Sequence, residues 1–214
     1  GGMIFHEPSV LRTLRKLADK HDILLIFDEI FTGFGRTGTL FAMQQAGIEP
    51  DIVTLSKALT GGTLPLSCAV ASDRVFDAFW SDDAGAALMH GPTYMANPLA
   101  CAAANASLDI FETGEWAGRV RGIFEELKRG LAPCRGIPGV VDVRVLGAIG
   151  VVEFEEAVAV GDLCRRFADE GVWVRPMGRV VYLTPALVID ADDLRALCAA
   201  VVKGLHGVAG AVQR

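Results

Sequence analysis

The segment Asp51-Ile-Val-Thr-Leu-Ser-Lys57-Ala-Leu-Thr-Gly-Gly62 places a lysine directly after a short apolar run and before a glycine pair. Residues 52–55 predict a buried strand, and a second apolar run over residues 68–71 follows the loop. Burial of an ammonium group is costly, so a lysine between two core strands requires an explanation. Either the side chain reaches solvent at the sheet edge, or the amine is desolvated enough to attack a carbonyl as a nucleophile.

Upstream of that segment the sequence alternates between helix and strand patterns. Residues 8–20 have the apolar spacing of an amphipathic helix, with Ser9 as a plausible N-cap. The continuous apolar run over residues 23–27 predicts a parallel strand buried on both faces, ending at Asp28. A strand, a short helix and a second strand at this spacing form an α/β unit, which binds ligands at the carboxyl ends of its strands. Asp28 and Lys57 both stand at such ends, which is the first indication of function.

The remainder of the chain predicts a turn-rich loop over residues 89–94, two long helices and a second α+β unit. The long helices are expected over residues 99–111 and from 114 to about 131. The second unit is predicted to contain strands at 140–146, 149–154, 172–175 and 180–183, and helices at 162–170 and 192–206.

Composition argues against several classes of function. The net charge of −6, without a basic stripe, argues against nucleic-acid binding. No apolar run is long enough to cross a bilayer, and no signal peptide opens the chain. The cysteines lack a CxxC pair and are expected to be reduced core residues of a cytoplasmic protein, not zinc ligands. They are Cys68, Cys101, Cys134, Cys164 and Cys198.

Two cofactors compete for the residues at the predicted sheet edge. Gly33-Phe-Gly-Arg-Thr-Gly38 fits the G-x-G-x-x-G pattern of dinucleotide sites, but its glycines begin beyond the strand end, so a structural turn is preferred. An acid at the strand tip would also repel a pyrophosphate. Asp28 and Lys57 together suit pyridoxal phosphate, which needs a lysine for a Schiff base and an acid opposite its pyridinium nitrogen. The alternative for Asp28 is a cap or an ion pair with Arg36.

Two stretches closely resemble the signature of the class III pyridoxal-phosphate aminotransferases: Leu25-Ile-Phe-Asp28-Glu-Ile-Phe-Thr-Gly-Phe-Gly-Arg-Thr-Gly38 and Pro50-Asp-Ile-Val-Thr-Leu-Ser-Lys57. Further motifs extend the resemblance over nearly the whole chain, at residues 57–63, 89–93, 97–105, 145–153 and 171–176. They are similar to those of members that pass an amino group from S-adenosylmethionine to 8-amino-7-oxononanoate in biotin biosynthesis.

The resemblance implies a fold type I α/β transferase. Residues 1–107 would form the C-terminal part of a large pyridoxal-phosphate-binding domain with a mostly parallel sheet, and residues 108–214 a C-terminal α+β small domain. Lys57 would bind the cofactor covalently and act as the catalytic base, and Asp28 would pair with its pyridinium nitrogen. Pro92 and Thr93 would reach the cofactor phosphate across the interface of a homodimer.

The resemblance also implies residues for the substrate. Gly91 would line the substrate pocket, and Arg175 would bind the carboxylate of the oxononanoate, a task suited to a planar two-pronged donor. A surface arginine is the alternative for Arg175. Tyr182 is either a residue behind that site or part of the core.

Other interpretations stay open from the sequence. One is a class III aminotransferase with another amino donor, such as lysine; others are a nicotinamide-dependent dehydrogenase and a non-catalytic remnant. The chain opens with Gly1 and no initiator methionine, which predicts the later part of a longer protein. The family's chains are about twice as long, and their preceding part carries the loop that holds most of the cofactor phosphate. We therefore expect these residues alone to bind the cofactor weakly and to turn over little.

Overall fold

The computed structural model describes residues 2–206, which form two compact units. One unit contains His6–Glu115, and the other contains residues 2–5 together with 116–206. The predicted domain boundary after residue 107 lies within helix α4 (Pro98–Glu112). Gly1 and residues 207–214, which the predicted domains include, lie outside the described residues.

The unit His6–Glu115 is built on a three-stranded sheet in the order β1 (Ile26–Asp28), β2 (Ile52–Leu55), β3 (Cys68–Ala71). Strands β1 and β2 are parallel, whereas β2 and β3 are antiparallel. Strands β2 and β3 have the predicted bounds. The prediction that β1 is buried on both faces is wrong for the described residues, because β1 lies at the edge of this sheet and Ile26 is 57% exposed.

The same unit contains the helices α1 (Pro8–Lys20), α2 (Met43–Ala46), α3 (Asp73–Asp77) and α4. Helix α1 has the predicted bounds, but Ser9 lies inside the first turn, where its carbonyl accepts a hydrogen bond from the Thr13 hydroxyl. Asn97 caps α4 by accepting the N–H groups of Leu99 and Ala100. A small core holds the helix against the sheet; its buried members are Phe34, Val53, Leu55, Leu59 and Ala104.

The other unit packs three helices against an antiparallel sheet in the order β4, β5, β6. The strands are β4 (Val140–Leu146), β5 (Ile149–Phe154) and β6 (Val180–Leu183), with the predicted bounds. The helices are α5 (Glu115–Leu131), α6 (Val160–Asp169) and α7 (Ala191–His206). Leu127, Phe167 and Val201 are fully buried at the centre of their core.

The predicted strand over residues 172–175 is not a strand in the structure. Its side chains alternate as they would in a strand: Val174 and Pro176 are buried, whereas Trp173 and Arg175 are exposed. Only Met177 reaches β6, through a single bridge to Val180. The alternation therefore comes from packing of an extended segment and not from a hydrogen-bonded ladder.

The five cysteines are free, as predicted, but not all of them lie in a core. Cys134 and Cys198 are buried, and burial raises the pKa of their thiols to about 11 and about 12. Cys68 is exposed on β3. Within residues 2–206 no helix has the length and apolar character needed to cross a membrane, and no group of residues suited to a metal ion is found.

Candidate active site

The parallel pairing of β1 and β2 brings the carboxyl ends of both strands to one edge of the sheet. Asp28 is the last residue of β1 and pairs with Thr54 of β2. Lys57 follows β2 after one residue and begins a 3₁₀ turn, Lys57–Thr60. The sheet therefore places the predicted acid and the predicted nucleophile at the same edge, as expected for an α/β ligand site.

The backbone at Lys57 adopts a conformation that side chains other than glycine rarely take. Its φ angle is 47°, in the left-handed region, which costs on the order of 1–3 kcal/mol and belongs to the strained conformations that cluster at functional sites. Hydrogen bonds on both sides hold the turn: the Ser56 hydroxyl donates to the Leu66 carbonyl at 2.7 Å, and the Ser107 hydroxyl donates to the Ala58 carbonyl at 2.9 Å. The origin of the lysine side chain is fixed, while the side chain itself is exposed.

Asp28 is also exposed, and its Oδ1 accepts the N–H of Ile30 at 2.9 Å. This hydrogen bond closes a local turn and does not cap a helix, because the next helix, α2, begins only at Met43. An exposed carboxylate and an exposed primary amine at one sheet edge supply the two groups that pyridoxal phosphate requires. The donor set at this edge fits that cofactor.

Glu29, which sequence reasoning did not single out, is buried and organises the turn after β1. Its Oε1 accepts the N–H of Met43 at 2.9 Å, and its Oε2 accepts the Thr32 hydroxyl. Its own N–H donates to the Thr54 carbonyl at 3.0 Å, which extends the β1–β2 pairing by one residue. The signal for this role was an acid at a strand end, followed three residues later by a hydroxyl and then by glycines.

Phe31 is a second residue that sequence reasoning missed. It lies in the turn that Glu29 organises, and the Nζ atom of Lys57 is 5.0 Å from the centroid of its ring. This contact joins the turn after β1 to the residue that follows β2. An aromatic residue three positions after the strand-end aspartate was the available signal.

The glycine motif over residues 33–38 forms consecutive turns, and the next helix, α2, begins only at Met43. A dinucleotide site needs its glycines to lead directly from a strand into a helix, so this arrangement supports the structural interpretation. A Cβ atom at Gly33 would lie 2.8 Å from the Glu29 carbonyl oxygen. Phe34 is buried, with its ring centroid 5.4 Å from that of Phe111.

Gly91, Pro92 and Thr93 lie on an exposed loop of the same unit. The described contacts of the loop are local, such as the Met95 N–H donating to the Pro92 carbonyl at 2.9 Å. Large apolar side chains flank these residues, since Met89 is 92% and Tyr94 is 83% exposed. Within residues 2–206, no described hydrogen bond joins the loop to Asp28 or Lys57.

Arg175 lies in the other unit, on the extended segment between α6 and β6. Its guanidinium is exposed between two buried neighbours, Val174 and Pro176, which fix the backbone on either side. The Val174 carbonyl also accepts a hydrogen bond from the Cys164 thiol at 3.7 Å. Tyr182 is half-buried on β6, opposite Val151 of β5.

Comparison with known proteins adds a family and several relatives. Residues 1–205 match the family model described as aminotransferase class-III. The chain is 47% identical over 207 residues to the adenosylmethionine-8-amino-7-oxononanoate aminotransferase of Corynebacterium glutamicum, covering 97% of this chain and 49% of that protein. The chain thus spans about half the length of the curated relatives it matches.

Solved structures of aminotransferases also resemble the chain in their fold. The adenosylmethionine-8-amino-7-oxononanoate aminotransferase of Methanocaldococcus jannaschii superposes with a TM-score of 0.87 at 30% identity, over 96% of this chain and 51% of that one. An amine transaminase from an uncultivated Pseudomonas species, in its PLP-bound form, gives a TM-score of 0.87 at 30% identity, over 95% and 49% of the two chains. These structures confirm the predicted fold type I α/β class.

Proposed function

Since the chain belongs to the class III aminotransferase family, we propose that the intact protein moves an amino group from S-adenosylmethionine to 8-amino-7-oxononanoate. The product is 7,8-diaminononanoate, and the reaction serves biotin biosynthesis. One observation carries this proposal: the 47% identity, across 97% of the chain, to a protein named for that reaction. The shared sheet edge of Asp28 and Lys57 supports it, because a pyridoxal-phosphate enzyme needs an amine and an acid together.

Lys57 has two tasks in this proposal. Its exposed amine would hold pyridoxal phosphate through the cofactor's aldehyde carbon, and the fixed turn at its backbone limits where that amine can reach. When bound, the cofactor supplies an electron sink for the negative charge that develops at the substrate carbon. Once its amine is free, the Nζ of Lys57 would act as the base that moves the proton at that substrate carbon.

Asp28 holds a proton on the ring nitrogen of the cofactor through its exposed carboxylate. The turn that Glu29 anchors keeps Asp28 in place, since the hydrogen bond from the Glu29 N–H to Thr54 fixes the strand end directly after it. Pro92 and Thr93 bind the cofactor phosphate from a second copy of the chain in a homodimer. The exposed apolar side chains beside them, Met89 and Tyr94, are consistent with an interface at this loop.

Arg175 binds the carboxylate of 8-amino-7-oxononanoate, and Gly91 leaves room for the substrate. A guanidinium presents two parallel N–H groups to a carboxylate, and Arg175 is exposed between two buried neighbours. We assign residues 1–107 to the large cofactor-binding domain and residues 108–214 to the small domain. Free cysteines are consistent with a cytoplasmic location.

Borohydride reduction of the intact protein with pyridoxal phosphate tests the proposal. Mass spectrometry should find the reduced cofactor on Lys57, and the Lys57→Ala variant should lose both the label and the activity. S-adenosylmethionine and lysine are then compared as donors with 8-amino-7-oxononanoate as acceptor. A label on another lysine would contradict the proposed site. Higher turnover with lysine than with S-adenosylmethionine would contradict the proposed amino donor. NAD binding that survives Lys57→Ala would favour the dehydrogenase alternative.

A further inference from the structure

The amine of Lys57 lies over an aromatic ring that the reaction described above does not use. The Nζ atom is 5.0 Å from the centroid of the Phe31 ring. A lysine ammonium within about 6 Å of a ring centroid is attracted to the negative face of the π system. The contact is therefore close enough to favour one position of the ammonium over the others that an exposed lysine can reach.

Phe31 is held in place independently of Lys57. The N–H of Gly33 donates to the Glu29 carbonyl at 2.9 Å, which closes the turn that contains Phe31. The Glu29 side chain binds the backbone of Met43 from inside the same turn. Phe31 itself is half-buried, so its ring has few alternative positions.

Lys57 is held at its backbone but not along its side chain. The left-handed turn fixes the Cα atom, whereas four rotatable bonds separate that atom from the exposed amine. Immobilising such a long side chain has a substantial entropic cost, so an unattached lysine amine moves over a wide volume unless something attracts it. Among the described residues, the Phe31 ring supplies this attraction through its cation–π contact with the Lys57 amine.

We propose that Phe31 is a positioning residue that holds the Lys57 ammonium whenever that amine is not bonded to the cofactor. The role of Phe31 in turnover rests on the proposed function, because there the free amine of Lys57 must stay beside the substrate carbon to move a proton. The contact between the two side chains is open to measurement without any cofactor.

Competitive labelling of the cofactor-free intact protein with trace acetic anhydride, followed by mass spectrometry, measures how available each lysine amine is. In Phe31→Leu, which keeps an apolar side chain but removes the π face, Lys57 should be acetylated about twofold to fivefold faster than in the wild type. Phe31→Tyr, which keeps the π face, should give the wild-type rate. Phe31→Met replaces the leucine variant if that variant does not fold.

The chain contains a matched control pair on helix α5, where the Lys128 Nζ lies 5.9 Å from the Phe124 ring centroid. Acetylation of Lys128 should be unchanged in Phe31→Leu and faster in Phe124→Leu. If Lys57 reacts at the wild-type rate in Phe31→Leu, or if Phe31→Tyr behaves like Phe31→Leu, the inference is wrong.

A second readout separates this inference from the proposed function. With cofactor and both substrates present, Phe31→Leu should lower kcat about twofold to fivefold with little change in either KM, and Phe31→Tyr should restore it. An equal kcat in the wild type and Phe31→Leu contradicts the role in turnover. Failure to find reduced cofactor on Lys57 of the wild type contradicts the proposed function, whatever the acetylation rates are.

Discussion

Asp28 and Glu29 are consecutive carboxylates at the end of β1, yet Asp28 is exposed whereas Glu29 is 2% exposed. Successive residues of a strand point to opposite faces, which separates the two acids. Glu29 binds the backbone of Met43 and the hydroxyl of Thr32, and its neighbour remains available to a ligand. One acid therefore supports the turn, and the other is free for chemistry.

Glu29→Ala should destabilise the unit His6–Glu115. The substitution removes the buried carboxylate that accepts from the half-buried Met43 N–H and from the Thr32 hydroxyl, at a cost of about 1–3 kcal/mol. Urea unfolding of the intact protein measures the loss. Asp28→Asn is the matched control: it should unfold like the wild type while losing most activity. Equal stability of Glu29→Ala and the wild type would show that the buried acid does not hold the turn.

The effect of replacing Lys57 on stability should depend on whether the new residue tolerates the left-handed backbone conformation at this position. Because the φ angle at this position is 47°, glycine fits without strain, whereas alanine retains a cost of about 1–2 kcal/mol. Both variants should be inactive, and Lys57→Gly should be more stable than Lys57→Ala in thermal unfolding. The opposite order would mean that the left-handed conformation is not kept in solution.

Asp51 should stabilise the unit His6–Glu115 at neutral pH, and this contribution should be lost in acid. The N–H of Leu25 and the guanidinium of Arg15, each 2.8 Å from Asp51 Oδ2, lower the pKa of this carboxyl from its ordinary value. A lowered folded-state pKa adds stability above the unfolded value of about 3.9, and that stability is lost as the pH falls through the folded value. Asp51→Asn should therefore be less stable than the wild type at pH 7, with the difference vanishing in strong acid.

Urea unfolding between pH 2 and 7 measures this dependence. Asp19→Asn is the control, because Asp19 pairs with the same Arg15 but is largely exposed, and screening by water leaves such pairs little energy. It should follow the wild-type curve. A wild-type pH profile for Asp51→Asn would contradict the role of Asp51 in acid unfolding.

Arg175→Lys should raise the KM for 8-amino-7-oxononanoate on the order of tenfold or more. A lysine keeps the charge but loses the two-pronged hydrogen bonding, which for charged partners is worth about 1.5–3 kcal/mol. Steady-state kinetics with each substrate varied in turn measures the effect, and the KM for S-adenosylmethionine should change little. Arg165→Lys on the exposed face of α6 should leave both values unchanged. A substrate KM that stays at the wild-type value in Arg175→Lys would remove Arg175 from the substrate site.

The position of Asp28 and Lys57 at one sheet edge was predictable from the sequence, because neighbouring parallel strands have their carboxyl ends at the same edge. Once residues 23–27 and 52–55 are recognised as parallel strands, Asp28 and Lys57 must end at the same edge. The bounds of β2 and of β4–β6 could also be predicted, since their apolar runs are short and closed by glycine or polar residues.

What the sequence did not predict depends on contacts between distant segments. Glu29 and Phe31 take their roles from Met43 and Lys57, which lie 14 and 26 residues further along the chain. Residues 172–175 alternate in burial without a partner strand, so their periodicity favoured a ladder that does not form. The exposure of β1 has a similar cause: among the described residues it has a strand on one side only, and its own apolar sequence does not reveal this position.

The pairing of Phe27 with Val53 and of Asp28 with Thr54 also determines which of the two acids at the end of β1 is exposed. A shift of one residue along β1 would exchange its two faces, and would place the glutamate outside and the aspartate inside. The outer acid would then stand on a longer side chain, and the inner one would be too short to span to Met43. Insertion of a single residue within β1, between Phe27 and Asp28, would thus change which acid meets the ligand, even with every side chain retained.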